Sequence, residues 1–297
     1  MLNNSPKSDE HKQSNAQAIT IKLSAIQLSS TTRVADNLAA ITRQLAEITK
    51  EKVMTNLLPS QHHHLVVLPE CCLFFGGQDS EQLVLAEKNA VQNTLLEALS
   101  RLAQQFKVFL VAGTIPILTS QGDKFTNSSC VFNPKGELLG RYDKIHLFDV
   151  MVSDNTQQYC ESRYTQAGDQ VNVIKTGFAT IGLSVCFDLR FPVLFNQLTA
   201  QGASIITVPS AFTRVTGKAH WQALLQARAI ENQVYIIAAG QEGIHENGRK
   251  TWGHSMIISP WGEVLACLPQ QEGYISVDFK METVQNIRES MPMSSPL

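Results

Sequence analysis

The sequence has little excess charge of either sign. Its 297 residues include 24 Lys and Arg against 26 Asp and Glu, for a formal net charge of −2, and the basic residues are scattered along the chain. Binding to nucleic acid or to an anionic membrane requires a basic face that neutralises phosphates, so neither is expected to be the main partner.

Long apolar runs are also missing. No run approaches the roughly 18 residues that a membrane-spanning helix needs. The first segment, MLNNSPKSDEHKQSNAQ, has neither the apolar core nor the small-residue cleavage site of a secretory signal. We therefore expect a cytoplasmic protein that does not bind membranes.

Cysteine is scarce and irregularly spaced, which argues against a disulfide framework in a chain of this length. The six cysteines are Cys71, Cys72, Cys130, Cys160, Cys186 and Cys267, and no CxxC spacing indicates a structural zinc site. The run His62-His63-His64 has a metal-binding composition, but three consecutive residues of an extended segment cannot all face one ion. We expect no metal site and reduced thiols, one of which is free to act as a nucleophile.

The composition is that of a folded protein, with 43% hydrophobic and 17% charged residues. Residues 1–18 are polar and predict a disordered tail. No linker interrupts residues 19–285, so we predict one domain there and a C-terminal tail over 286–297.

Alternating strand and helix patterns predict an α/β protein with mixed sheets. Strands are predicted at 19–28, 64–68, 108–116, 125–132, 137–142, 171–176, 180–185, 204–208, 234–239, 255–259, 263–268 and 274–277, and helices at 34–53, 89–106, 192–201 and 217–231. A polar loop is predicted between about 150 and 170. The continuous apolar run at 64–68 is typical of a strand buried on both faces.

Three residues that could carry chemistry follow predicted strands. Cys186 lies where a strand meets a helix start, a turn that can expose a nucleophile. Glu70 follows a buried strand, where a carboxylate can act as a general base. Lys144 follows another strand, and its ammonium could favour a thiolate or stabilise an oxyanion. Taken singly, each is equally well a structural cysteine, a solvated glutamate or a surface lysine, and spacing alone does not bring them together.

The combination of motifs changes this interpretation. LPE at 68–70, GRYDKIHLFD at 140–149 and SVCFDLRFP at 184–192 resemble, in order and separation, the Glu, Lys and Cys motifs of the nitrilase (carbon–nitrogen hydrolase) superfamily. The resemblance implies a four-layer α-β-β-α sandwich in a single domain, pairing into a homodimer through a sheet-extending contact. It also implies a Glu70-Lys144-Cys186 triad that needs no cofactor, and it assigns Glu161 of CESRYTQAG to a second active-site glutamate.

Within the superfamily, segments such as PSAFTRVTGKAHW at 209–221 and GHSMIISPWGEVLA at 253–266 look most like deaminated glutathione amidases. The resemblance implies hydrolysis of a small amide through a thioester, with omega-amidase activity on 2-oxoglutaramate-type amides as the alternative. A non-enzymatic scaffold that kept the fold is the third hypothesis, and the intact triad speaks against it. One departure is Val193, which stands where many relatives have Glu after RFP.

The expected chemistry names further residues. Lys144 and the backbone N–H of Phe187 would hold the tetrahedral oxyanion. A substrate carboxylate needs a cation, and Arg offers bidentate geometry. Arg190, Thr213 and Arg214 are the candidates for binding this small-molecule substrate, although each could equally have a structural role.

Overall fold

A computed structural model describes residues 20–54, 62–154 and 158–293. The predicted tail at 1–18 lies outside these residues. The strands are β1 (Thr20–Gln27), β2 (His62–Val67), β3 (Phe109–Val111), β4 (Ile115–Leu118), β5 (Phe125–Phe132), β6 (Leu138–Asp143), β7 (Asp149–Met151), β8 (Gln158–Cys160), β9 (Val173–Lys175), β10 (Thr180–Leu183), β11 (Ile205–Thr207), β12 (Tyr235–Ala238), β13 (Glu242–Ile244), β14 (Lys250–Trp252), β15 (Ser255–Ile258), β16 (Val264–Leu268) and β17 (Gly273–Asp278). The helices are α1 (Val34–Met54), α2 (Asp79–Gln92), α3 (Thr94–Phe106), α4 (Pro192–Ala200), α5 (Arg214–Asn232) and α6 (Met281–Ser290). In this part of the chain, none of the helices combines the length and the apolar character required to cross a bilayer.

Two mixed sheets form the centre of the molecule. The first has the strand order β17-β1-β2-β3-β5-β4, with β6 paired to β5, and the second has the order β16-β15-β12-β11-β10-β9. Parallel pairs lie in the middle of each sheet, β1-β2-β3 in the first and β10-β11-β12 in the second. Antiparallel strands flank them, so the predicted mixed α/β architecture is confirmed.

Alternate residues of the central strands enter different cores. In β2 and the residue after it, Leu65 and Val67 belong to the core that includes the second sheet, whereas Val66 and Leu68 belong to the core beneath α1 and α3. Side chains of a strand alternate between the two faces of its sheet, so both faces are covered. The apolar run at 64–68 is buried on both faces, as its pattern predicts.

The second sheet is covered on its outer face by α4 and α5. Phe195 of α4 and Trp221 and Leu225 of α5 are buried in the same core as the strands of this sheet. The layers therefore run helix, sheet, sheet, helix, and the expected four-layer α-β-β-α sandwich is confirmed.

Several short or interrupted elements differ from the prediction. The helix predicted at 89–106 corresponds to α3 and the last turn of α2, which Asn93 separates with a left-handed φ of 51°, and α2 begins at Asp79, well before the predicted start. The strand predicted at 108–116 is divided at Gly113, where an added Cβ would lie 1.9 Å from the Pro69 carbonyl oxygen. The polar loop predicted between 150 and 170 contains β8, which pairs with β7.

Two further elements lie in segments with no predicted structure. The β13–β14 hairpin lies between β12 and β15, and helix α6 runs past residue 285, the predicted end of the domain. Val284 of α6 is buried in the main core, so this helix packs as part of the fold.

Candidate active site

Three strand ends bring the predicted catalytic residues together. Glu70 follows β2 and Lys144 follows β6 in the first sheet, whereas Cys186 follows β10 in the second sheet. All three line one cleft, together with Glu161 and Phe187. Stacking of the two sheets thus places residues from distant parts of the sequence around one space.

An ammonium group held between two carboxylates forms the floor of this cleft. Lys144 Nζ lies 2.9 Å from Glu70 Oε1 and 2.8 Å from Glu161 Oε2. Lys144 is 2% exposed and Glu70 is 4% exposed. Charges removed from water this completely require partners, and each of these has one of opposite sign.

Neighbouring N–H groups fix the orientation of both carboxylates. Glu70 Oε1 accepts from the side-chain amide of Asn127 at 3.0 Å, and Glu70 Oε2 accepts from the Ala211 N–H at 3.0 Å. Glu161 Oε2 accepts from the Phe148 N–H at 2.7 Å. Sequence reasoning missed Asn127, although a polar amide in the wholly buried strand β5 was a usable signal.

Cys186 lies on a sharp turn between β10 and α4. Its φ is +50°, which is unusual for a residue with a side chain. Its N–H donates to the Pro209 carbonyl at 2.9 Å, and a single 3₁₀ turn begins at this residue. Phe187 is the second residue of that turn, where backbone N–H groups have no acceptor inside the helix. The turn thus presents a thiol and a backbone donor at the same place.

A second buried carboxylate, that of Asp188, ties the cysteine turn to the lysine segment. Asp188 Oδ2 accepts from the Val185 N–H at 2.8 Å and from the Tyr142 hydroxyl at 2.7 Å. Asp188 Oδ1 accepts from both the backbone N–H and the ring Nδ1 of His146, at 3.1 and 2.7 Å. Tyr142 and His146 flank Lys144 in sequence, so one side chain connects the segments that carry Lys144 and Cys186.

Burial and the neighbouring charges set the protonation states. Burial raises the pKa of the Cys186 thiol well above its ordinary value, and the Glu70 carboxylate raises it further, which Lys144 and an Ala211 N–H hydrogen bond offset only in part. Burial alone would lower the pKa of Lys144, but the carboxylates of Glu161 and Glu70 outweigh it and raise this pKa well above its ordinary value. The surroundings therefore favour the protonated form of the Cys186 thiol beside the Lys144 ammonium.

The predicted substrate-binding residues occupy different positions. Thr213 lines the cleft and accepts the Thr216 N–H as the N-cap of α5. Arg190 and Arg214 are outside the cleft lining: Arg190 lies over the rings of Phe187 and Phe212, and Arg214 lines a neighbouring groove. The lining instead contains Arg249, which sequence reasoning missed because it lies in the unpredicted hairpin.

The carbon-nitrogen hydrolase family model matches residues 22–289. The chain belongs to this family. The resemblance drawn from the three motifs is confirmed, and the protein is a hydrolase of carbon–nitrogen bonds other than peptide bonds.

Individual relatives agree in length and fold. The chain is 39% identical to a deaminated glutathione amidase of Yersinia enterocolitica over 269 residues, which covers 90% of each protein. It is 35% identical to omega-amidase NIT2 of Xenopus tropicalis over 229 residues, 77% of this chain and 81% of that one. Nit3 of Saccharomyces cerevisiae, a member of branch 10 of the nitrilase superfamily, superposes with a TM-score of 0.78 at 29% identity, covering 93% of this chain and 96% of Nit3.

Proposed function

We propose that this hydrolase is a cysteine amidase that acts on deaminated glutathione through a thioester on Cys186. The observation that carries the proposal is the lining of one cleft by the Cys186 thiol, two oriented carboxylates and a buried ammonium. The choice of substrate is supported by relatives named deaminated glutathione amidase that match 90% or more of the chain at 36–39% identity.

The charge of the buried site limits where the Cys186 thiol proton can go. Lys144, Glu70 and Glu161 together carry one net negative charge, and releasing the thiol proton to solvent would add a second. Transfer of that proton from Cys186 to Glu70 keeps the local charge unchanged. Of the two carboxylates, Glu70 is the one that acts on the Cys186 thiol, so it is the general base while sulfur attacks the amide carbonyl carbon.

The oxyanion is stabilised by the cation and the turn. As the sulfur–carbon bond forms, the carbonyl π electrons move to oxygen, and the negative charge lies near Lys144 Nζ and the Phe187 N–H. Pre-oriented donors of this kind are each worth about 10²–10³ in rate. Glu161 holds Lys144 in place through its short ion pair.

Three further proton transfers by Glu70 complete the cycle. When the tetrahedral intermediate collapses, the carbon–nitrogen bond breaks and protonated Glu70 gives its proton to the leaving nitrogen. The amine departs, leaving an acyl thioester on Cys186. Glu70 then accepts a proton from water as the water oxygen attacks the thioester, and it returns that proton to the departing sulfur.

Omega-amidase activity is the second candidate, and the NIT2 relative favours it. It uses the same cycle, with ammonia as the leaving group in place of a peptide. The acyl part, a 2-oxo dicarboxylate, is common to both reactions, so the leaving group distinguishes them.

The same proposal extends to location and assembly. All six cysteines have unpaired thiols, which suits the reducing cytoplasm. We place the protein there as a homodimer.

The experiment measures release of 2-oxoglutarate from deaminated glutathione by wild type, Cys186→Ala and Cys267→Ala. Wild type and Cys267→Ala should turn over alike, because Cys267 lies on β16 outside the cleft. Cys186→Ala should lose at least about 10³-fold in kcat with its circular dichroism unchanged. Retention of a tenth of the wild-type rate by Cys186→Ala would mean that another group attacks.

A further inference from the structure

The cleft has one cation that the proposed cycle does not use. Among the described lining residues, the cationic side chains are Lys144 and Arg249. Lys144 is held between two carboxylates. Arg249 lies over the rings of Phe75 and Tyr159, with its guanidinium carbon 4.9 Å from each ring centroid. The two rings hold this guanidinium in place, and no ion pair with a described carboxylate occupies it.

Arg249 also lines a second groove, next to the catalytic cleft. That groove carries the cations of Arg214, Lys218 and Lys250 as well as Arg249. Its carboxylate, Asp154, accepts a hydrogen bond from the Tyr159 hydroxyl at 2.8 Å. Arg249 is therefore a cation that the catalytic cleft shares with a positively charged groove.

The reaction gives the two ends of the substrate different requirements. The acyl part stays bonded to Cys186 after the first step, whereas the amine must leave through an open path. The acyl end of the substrate therefore lies at Cys186 and Phe187, on the turn that carries the thiol. Because Arg249 lines both the catalytic cleft and the second groove, an amine that leaves through this groove passes it.

We propose that Arg249 binds a carboxylate on the amine leaving group, so that the preferred substrate is an amide of a small acidic peptide and not a primary amide. This inference rests on the proposed amidase function and deepens it. A guanidinium is suited to this role because its fork matches a carboxylate bidentately. In deaminated glutathione, the carboxylate in question is that of the terminal glycine.

Three substrates separate this role from others: deaminated glutathione, its C-terminal amide, which keeps the size but not the charge, and 2-oxoglutaramate, which releases ammonia. Wild type should prefer the free acid over the C-terminal amide by about 10- to 100-fold in kcat/KM, the usual range for a hydrogen bond to a charged group. Arg249→Gln should lower kcat/KM by this 10- to 100-fold factor on deaminated glutathione and leave kcat/KM for the other two substrates unchanged. Arg101→Gln, which removes an exposed arginine of α3, should behave as wild type on all three.

Two results would overturn the assignment. An equal loss on all three substrates would mean that Arg249 acts on the acyl end or on the fold, and no loss would mean that it does not touch the substrate. Calorimetric titration of both deaminated glutathione forms into Cys186→Ala and into Cys186→Ala/Arg249→Gln measures the same contact without turnover. A wild-type protein that binds the free acid more tightly through Arg249 but hydrolyses neither form would retain the assignment and overturn the proposed function.

Discussion

At the scale of single residues, the position of the nucleophile depends on a carboxylate that does not line the cleft. Asp188 is fully buried and accepts four hydrogen bonds, two on each oxygen. All four partners are donors, because a carboxylate can only accept. The aspartate therefore fixes the turn of Cys186 and the segment of Lys144 with one rigid group.

Replacement of this carboxylate by an amide tests that role. In Asp188→Asn, an NH₂ group replaces one carboxylate oxygen. The two buried donors that this oxygen accepted from then face another donor and lose their acceptor. We expect a loss of about 2–4 kcal/mol in unfolding free energy, measured by urea denaturation. Tyr142→Phe leaves the carboxylate but removes one of its donors and the hydroxyl that accepts from the Ile145 N–H, and it should cost about 1.5–3 kcal/mol, less than Asp188→Asn. Equal stability of Asp188→Asn and wild type would mean that Asp188 does not hold the Cys186 turn and the Lys144 segment together.

At the scale of elements, the β13–β14 hairpin carries both Arg249 and a buried histidine that anchors it. His245 Nδ1 lies 3.1 Å from the Ser30 carbonyl oxygen, and its Nε2 lies 2.8 Å from the Thr251 hydroxyl. Burial lowers the pKa of His245 to about 4. The hairpin is thus anchored by a neutral imidazole with a partner on each nitrogen.

This anchor predicts a pH-dependent stability. The folded pKa is below the unfolded value of about 6.5, so the unfolded chain binds the proton first as the pH falls. The contribution of His245 is complete above about pH 6.5 and is lost between there and pH 4, a change on the order of 3 kcal/mol. In urea denaturation, His245→Gln should be less stable than wild type at pH 7.5, with a gap that closes toward pH 4. The exposed His220→Gln should follow the wild-type curve, and a constant gap for His245→Gln would refute the shift.

The same hairpin illustrates what the sequence could and could not predict. Long elements such as α1 and β5 have enough residues for a periodic or continuous apolar pattern, and the predicted ranges match them closely. Strands β13 and β14 lie in the polar, glycine-containing stretch GQEGIHENGRKTWG at 240–253, which carries no such pattern. Glu70, Lys144 and Cys186 could be predicted because each residue follows a recognisable strand and lies in a motif that resembles the family. Arg249 and Asp188 depend on partners far away in sequence, which a single sequence does not reveal.

At the scale of the whole molecule, one apolar area remains exposed on the outer helix layer of the second sheet. Ile230 of α5 is 44% exposed and Trp261 is 65% exposed. Ile230 lies beside the turn that carries Trp261, because an added Cβ at Gly262 would lie 2.6 Å from Ile230 Cδ1. Contact between two copies at this face would cover these apolar side chains in both copies. With a net charge of only −2, two copies repel each other weakly.

We therefore expect a homodimer at micromolar concentration, measurable by sedimentation velocity. A stable interface of standard size buries about 800 Å² on each partner, and charges buried at its centre without partners are strongly unfavourable. Ile230→Glu/Trp261→Glu should thus sediment as a monomer. Val91→Glu adds a carboxylate at an apolar residue of α2 that is 88% exposed, and it should remain dimeric. A dimer that persisted in the double variant would place the interface on another face. A monomeric wild type would contradict the expected dimer.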